Sequence, residues 1–283
     1  MTQIIDGKAI SSQIKDELKE QVADWKQKGV SICLAVIQVG ADPASCVYVR
    51  NKKKACEYIG IESLSYELPE DTTEDALIDL IHTLNERSDV NGILVQLPLP
   101  SHMDEDKVIQ AIDAKKDVDG FHPKSVGALS IGLPGFVSCT PAGIIQLLKR
   151  SGIAIEGKHC VIIGRSNIVG KPMALLMLRE NATVTVTHSR TKDLPSVARQ
   201  ADILIVAIGK NKFITSEYVK EGAVVIDVGM HRSETGKLSG DVDYDDVAPH
   251  CSAITPVPGG VGPMTIAMLR YNCVASVSLQ TQE

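Results

Sequence analysis

Aromatic residues are scarce, at 4% of the chain with a single Trp. That argues against a large all-β sandwich and against an aromatic platform for nucleic acid, since both lean on Phe, Tyr and Trp. Positive charge is not in excess either. The 29 Lys and Arg stand against 35 Asp and Glu, a formal net charge of −6, which is the wrong sign for general binding to nucleic acid or to an anionic membrane. The seven cysteines (Cys33, Cys46, Cys56, Cys139, Cys160, Cys251 and Cys273) are odd in number, scattered and without a C-x-x-C pair, so neither a disulfide framework nor a zinc knuckle is indicated. The seven histidines show no metal-ligand spacing, and no metal is expected. No apolar run approaches the about 18 residues of a membrane span. The opening MTQIIDGKAISSQIKDEL lacks the apolar core of a signal peptide, so a cytoplasmic protein is expected.

What is present is an ordinary globular composition, 44% hydrophobic and 23% charged over 283 residues, enough for about two domains at roughly 150 residues each. Ile10, Ile14, Leu18, Val22 and Trp25 recur at helical spacing up to Gly29, and ICLAVIQVG follows as a short buried strand. The alternation continues with a helix from about Ala44 to Ile59, a strand near Ser63–Leu68, a helix from Thr72 to about Arg87 opened by a Thr72/Asp75 capping box, and the strand GILVQLP. A stretch from about Lys115 to Ser138 reads as loop. Helix 141–150, strand HCVIIG, helix 171–180 and the strands TVTVTH, DILIVAIG and AVVIDVG then complete a second βαβ series. Unbroken apolar strands alternating with helices predict parallel sheets covered on both faces. The expected fold is therefore α/β with two domains, residues 1–138 and 139–262. A long buried helix, 263–283, is expected to pack back on the first.

The segment VIIGRSNIVGKP runs from strand to helix, where backbone N–H groups and a helix dipole can meet a phosphate. It matches neither the dinucleotide fingerprint, since Ser166 stands at the second glycine, nor a P-loop, since Pro172 replaces the magnesium-binding hydroxyl. A phosphate site and a tight structural turn both fit Gly164, Arg165, Ser166, Ile168 and Gly170. The second strand ends in His188-Ser189-Arg190-Thr191 without the acid that would bind a ribose 2′-hydroxyl. Arg165, Ser189 and Arg190 would suit a 2′-phosphate, hence NADP, although an isolated arginine is more often solvated. On a helix Lys52 falls in one apolar stripe with Ala44, Tyr48, Ala55 and Ile59. It is either a snorkelling cation or an amine whose pKa is lowered by burial and by Arg50, Lys53 and Lys54. Gln96 is the single polar residue in GILVQLPLP, and Asp117 and Asp119 flank a glycine turn in KDVDGFHP; each has a bland reading as backbone partner or turn residue. SAITPVPGGVGP is stiffened by Pro and opened by Gly for close backbone approach to a ligand.

Together, Tyr48-Val-Arg-Asn-Lys52-Lys-Lys54, GILVQLPLP, KDVDGFHP, GRSNIVGKP and TPVPGGVGPMT resemble the bifunctional methylenetetrahydrofolate dehydrogenase/methenyltetrahydrofolate cyclohydrolase family. They span most of the chain in the family's order. The resemblance implies NADP-linked oxidation of 5,10-methylenetetrahydrofolate and hydrolysis of the methenyl product to 10-formyltetrahydrofolate. The second domain would be Rossmann-like, with an active-site cleft between the domains. It further implies Lys52 as base in the hydrolysis, Gln96 tuning it, Tyr48 packing on folate and Asp119 anchoring the pterin. Leu97 and Pro258, Gly259, Gly260 and Val261 would complete the folate site, in a homodimer. A monofunctional relative, a shikimate-type dehydrogenase and an NADP sensor without turnover are the competing readings.

Overall fold

The computed structural model describes residues 2–40, 54–233 and 236–281, which divide into two units. One comprises Met1–Ser12 with Ser138–Thr265; the other comprises Gln13–Val137 with Ile266–Glu283. The sequence expectation placed residues 1–12 with the first domain. They belong instead with the second because strand β1 (Gln3–Ile4) pairs in parallel with a strand near the other end of the chain, Gln3 opposite Ala253. So short an edge strand carries no periodic signal of its own.

In the unit containing residues 13–137, helix α1 (Gly7–Gln27) enters with Ile14, Leu18 and Val22 buried along one stripe. It leads into β2 (Cys33–Val39), buried at every position. β2 is the middle strand of a parallel sheet, between β3 (Glu62–Leu68) and β4 (Gly92–Val95). Helix α2 (Glu74–Glu86) packs Leu77, Ile81 and Leu84 into the core formed with Ala35, Ile37, Ile93 and Val95. The expected capping box is shifted by one residue. Thr73 is the N-cap, its hydroxyl accepting the Ala76 N–H at 3.2 Å, while the Thr72 hydroxyl donates to the Pro69 carbonyl and closes the preceding turn. With Ala76 at the third helical position no side chain can return the bond, so the cap is one-sided. α3 (Glu105–Ala111) follows, and the segment expected to be loop contains α4 (Pro123–Ile131), started by Pro123 and capped by His122. Its Gly127 and the surrounding Gly and Pro hid it.

In the other unit α5 (Cys139–Arg150) precedes a six-stranded sheet of order β1-β11-β8-β7-β5-β6, every pair parallel. Its strands are β5 (His159–Ile163), β6 (Thr183–Thr187), β7 (Ile203–Val206), β8 (Ala223–Asp227) and β11 (Cys251–Ile254), besides β1. α6 (Gly170–Arg179) and α7 (Leu194–Ala198) connect the first three. The antiparallel pair β9 (His231–Arg232) and β10 (Leu238–Ser239), then α8 (Tyr244–Val247), lead to β11, and α9 (Val261–Thr281), which belongs from Ile266 onward to the unit of residues 13–137, ends the described chain. The core on one side of this sheet gathers Val161, Leu204, Val206, Val225 and Ile254. Among the described residues no helix is long and apolar enough to cross a membrane.

Candidate active site

In each unit the chain leaves a central strand, fills the neighbour on one side and crosses to the neighbour on the other. That reversal opens a crevice at the carboxyl ends of the two strands, where parallel α/β sheets take their ligands. The six-stranded sheet reverses between β5 and β7, and the three-stranded sheet between β2 and β4.

At the first reversal Gly164 leaves β5 with φ +127°, and a side chain there would strike the Ala207 carbonyl beyond β7. Gly170, which opens α6, has no room for a Cβ against the Gly164 carbonyl. The turn is therefore tight because backbone packs on backbone, as the structural reading required. It also leaves an open edge. Ser166 Oγ accepts the N–H groups of Val169 and Gly170 at 3.2 and 3.3 Å, Ser138 Oγ donates to the Ile168 carbonyl at 2.6 Å, and Arg165 and Ile168 stay exposed. On the adjacent strand the His188–Thr191 turn is closed by the His188 N–H on Thr191 Oγ1, leaving Ser189 and Arg190 exposed. Because Ile163 pairs with Thr187, Arg165 and Ser189 each stand two residues past a matched pair, on neighbouring loops. Two arginines and a hydroxyl beside a glycine turn form a donor set that fits a phosphorylated dinucleotide.

After β11, Thr255 Oγ1 accepts the Asp227 N–H, and the loop continues through Pro258 to Gly259, whose carbonyl accepts the Lys8 N–H at 3.0 Å. Gly260 and Val261 are buried where α9 begins. These four residues lie in the same unit as the glycine turn.

At the second reversal Gln96 follows β4, its N–H bonded to the Ile37 carbonyl of β2 at 2.8 Å and its side-chain amide donating to the Leu97 carbonyl at 2.6 Å. Leu97 and Gln96 are both half-buried. The segment carrying Asp117 lies beside β4, opposite Ile93. That places Asp119, also half-buried, at the same end of the sheet as Gln96. The two acids of KDVDGFHP have different environments. Asp117 is buried, its Oδ2 accepting the His122 N–H at 2.7 Å and the Ser125 hydroxyl at 3.2 Å, and burial raises its pKa. It holds the loop. Asn272 of α9 steadies the residue before Asp119 by donating to the Val118 carbonyl at 2.8 Å. Tyr48 and Lys52 lie outside the described residues.

Sequence reasoning passed over Asn272, Lys116, Asp227, His231 and Asp241. Asp227 alone carried a usable signal, as one acid ending the apolar run AVVIDV, the same signal that singled out Gln96. Among the described residues no group of three or more His, Cys, Asp or Glu is placed to hold a metal ion.

Comparison with known proteins identifies the family. Residues 5–119 match the catalytic domain of tetrahydrofolate dehydrogenase/cyclohydrolase, and residues 138–281 match its NAD(P)-binding domain. The bifunctional protein FolD of Lachnoclostridium phytofermentans is 72% identical over 274 residues, 97% of each chain. Among solved structures, the bifunctional FolD enzyme of Campylobacter jejuni superposes with a TM-score of 0.97 at 54% identity, covering 99% of this chain and 100% of that one. The Trypanosoma brucei dehydrogenase-cyclohydrolase, determined with NADP cofactor and inhibitor, gives a TM-score of 0.94 at 38% identity, covering 100% and 99%. The chain belongs to the tetrahydrofolate dehydrogenase/cyclohydrolase family.

Proposed function

We propose that one folate site serves both reactions of this NADP-dependent methylenetetrahydrofolate dehydrogenase and methenyltetrahydrofolate cyclohydrolase, with Lys52, Gln96, Tyr48 and Asp119 as its working groups. The observation that carries the proposal is the placement of Gln96 and Asp119 at the carboxyl end of the β3-β2-β4 sheet, beside the reversal between β2 and β4.

Asp119 takes the N–H donors of the pterin, for which a carboxylate is the matched acceptor. Tyr48 offers an aromatic face to the flat ring, and Leu97 with Pro258, Gly259, Gly260 and Val261 shapes the remainder. Gly164, Arg165, Ser166, Ile168, Gly170, Ser189 and Arg190 would hold NADP, which would supply the hydride acceptor for the methylene carbon. The methenyl cation left behind is attacked by water. A neutral Lys52 removes the proton as the carbon–oxygen bond forms, and one carbon–nitrogen bond then opens to give 10-formyltetrahydrofolate. Gln96, fixed by its backbone to β2, orients the Lys52 amine.

The working form is a cytoplasmic homodimer with no nucleic-acid or membrane partner. The negative net charge supports the latter part of that reading. The deciding experiment follows NADPH and the methenyl product separately by absorbance for the unsubstituted protein and for Asp119→Ala. Loss of both activities in the variant is expected, because both reactions act on the carbon that the pterin anchor positions. Unchanged kinetics would return Asp119 to the role of a turn residue.

A further inference from the structure

The reversal between β5 and β7 has two walls. One is the glycine turn 164–170; the other is the loop 207–210 that leaves β7, and the Ala207 carbonyl packs directly beneath Gly164. Ile208 packs against the core and the Lys210 ammonium lies 5.0 Å from the Phe213 ring centroid, but neither contact fixes the loop's backbone. The loop is held from behind by one carboxylate. Asp241, wholly buried, accepts the Ile208 and Gly209 N–H groups on Oδ2 at 2.7 and 3.0 Å, and the Lys210 N–H and His231 Nε2 on Oδ1 at 2.8 Å each. Asp241 is fixed in turn by Asp227, whose Oδ1 accepts the Asp241 and Gly229 N–H groups and whose Oδ2 accepts that of Val242. Gly229 has no side chain because a Cβ there would strike the Asp241 carboxylate. The loops after β7 and β8 are thus clamped to a single buried anion.

We infer that Asp241 is a positioning residue for the dinucleotide, holding the 207–210 loop at the β5/β7 crevice so that it is ordered before the cofactor arrives. The inference rests on the NADP reading above. A carboxylate with four N–H donors is the strong form of hydrogen bonding, and an unanchored loop would have to be ordered at the expense of cofactor affinity. Hydrolysis of the methenyl compound needs no dinucleotide, so the same protein supplies an internal control.

Asp241→Asn keeps the volume but turns an amide N–H₂ toward donors that now lack an acceptor. The tests are NADP affinity by calorimetry on the protein without cofactor, amide exchange at Ile208, Gly209 and Lys210, and cyclohydrolase rate without dinucleotide. The expected result is NADP affinity lower by at least about tenfold, faster exchange at the three amides, and cyclohydrolase retained within about twofold, the reach of a minor surface change. Should Asp241→Asn not fold, His231→Leu, which removes one donor and leaves the carboxylate, is expected to lower NADP affinity a few-fold with cyclohydrolase intact. Unchanged NADP affinity in the folded variant, or cyclohydrolase falling in step with it, would overturn the inference. Failure of the unsubstituted protein to bind NADP at all would instead remove the cofactor reading on which it stands.

Discussion

The backbone N–H of Asp241 donates to Oδ1 of Asp227 at 3.0 Å, so two buried carboxylates share one small volume beneath the carboxyl end of the parallel sheet. Burial, with the Asp241 charge adding to it, raises the Asp227 pKa to about 6 despite three N–H bonds that favour the anion. Between the ordinary value of 3.8 and about 6 the native state therefore holds a proton that the unfolded chain has released. Stability from this group is full below that interval and is lost as pH rises through it, by roughly 3 kcal/mol. The Asp227 carboxyl carbon is expected to titrate near pH 6 by NMR. Asp227→Asn should lack the matching fall in unfolding free energy between pH 4 and 6. A midpoint near 4 would mean that the N–H bonds outweigh burial.

Lys116 is a second buried charge, with a structural duty. Its ammonium donates to the carbonyls of Leu84, Asn85 and Arg87 at 3.1, 2.7 and 2.7 Å, closing the carboxyl end of α2, and burial lowers its pKa. Lys116→Met should fill the space yet take the ammonium donor from all three carbonyls, leaving those of Leu84 and Arg87 with only long backbone N–H bonds of 3.3 Å, a loss of about 1–3 kcal/mol. Urea unfolding should show this as a lower midpoint with unchanged slope, while the folded fraction keeps its cyclohydrolase rate. A change under about 0.5 kcal/mol would place the ammonium in water instead.

Much of the architecture was legible because the strands are either buried runs or follow helices whose apolar stripes are regular. β2, β5, β7 and β8 read directly as CLAVIQV, HCVII, ILIV and AVVID. What escaped was set by distant partners. β1 is two residues long and exists through its pairing with β11, about 250 residues away. α4 is bounded by Pro and Gly, which speak for a loop until His122 caps it. At the site, Gln96 stood out as a polar residue in an apolar strand, whereas Asp241 sits in the unremarkable GDVDYDD, and only the folded chain gathers its four donors.

Discrimination between the two dinucleotides should reside in Arg165 and Arg190. The two loops leave paired strands in register and carry exposed cations, with no acid in the His188–Thr191 turn. Only NADP carries the phosphate they would pair. Arg165→Ala and Arg190→Ala are each expected to raise the NADP KM on the order of tenfold, with NAD kinetics nearly unchanged. Equal effects on the two cofactors, measured in the same dehydrogenase assay, would assign the arginines to general charge instead.

The two chemistries should separate at Lys52. Hydride transfer leaves a cation delocalised over two folate nitrogens and calls for alignment, with no obligatory protein base; attack of water on that cation requires a proton to be removed. In sequence Lys52 shares a helical stripe with Tyr48, Ala55 and Ile59, and Arg50, Lys53 and Lys54 surround it with like charge. Both influences favour a neutral amine. Lys52→Met keeps much of the stem and deletes the amine. Cyclohydrolase activity should then fall by the roughly 10²–10⁴-fold of a lost general base, and dehydrogenase activity by far less, through altered folate packing alone. The unsubstituted protein should hydrolyse methenyltetrahydrofolate faster as pH rises through an apparent pKa well below that of free lysine, and the variant should lack that limb. Gln96→Ala provides the complementary case. If the Gln96 side chain orients the amine, its removal should slow hydrolysis and shift the same limb, since the base is still present but differently surrounded. A Lys52→Met protein that hydrolyses at near the original rate would take Lys52 out of the mechanism and leave Tyr48 as the next group to test.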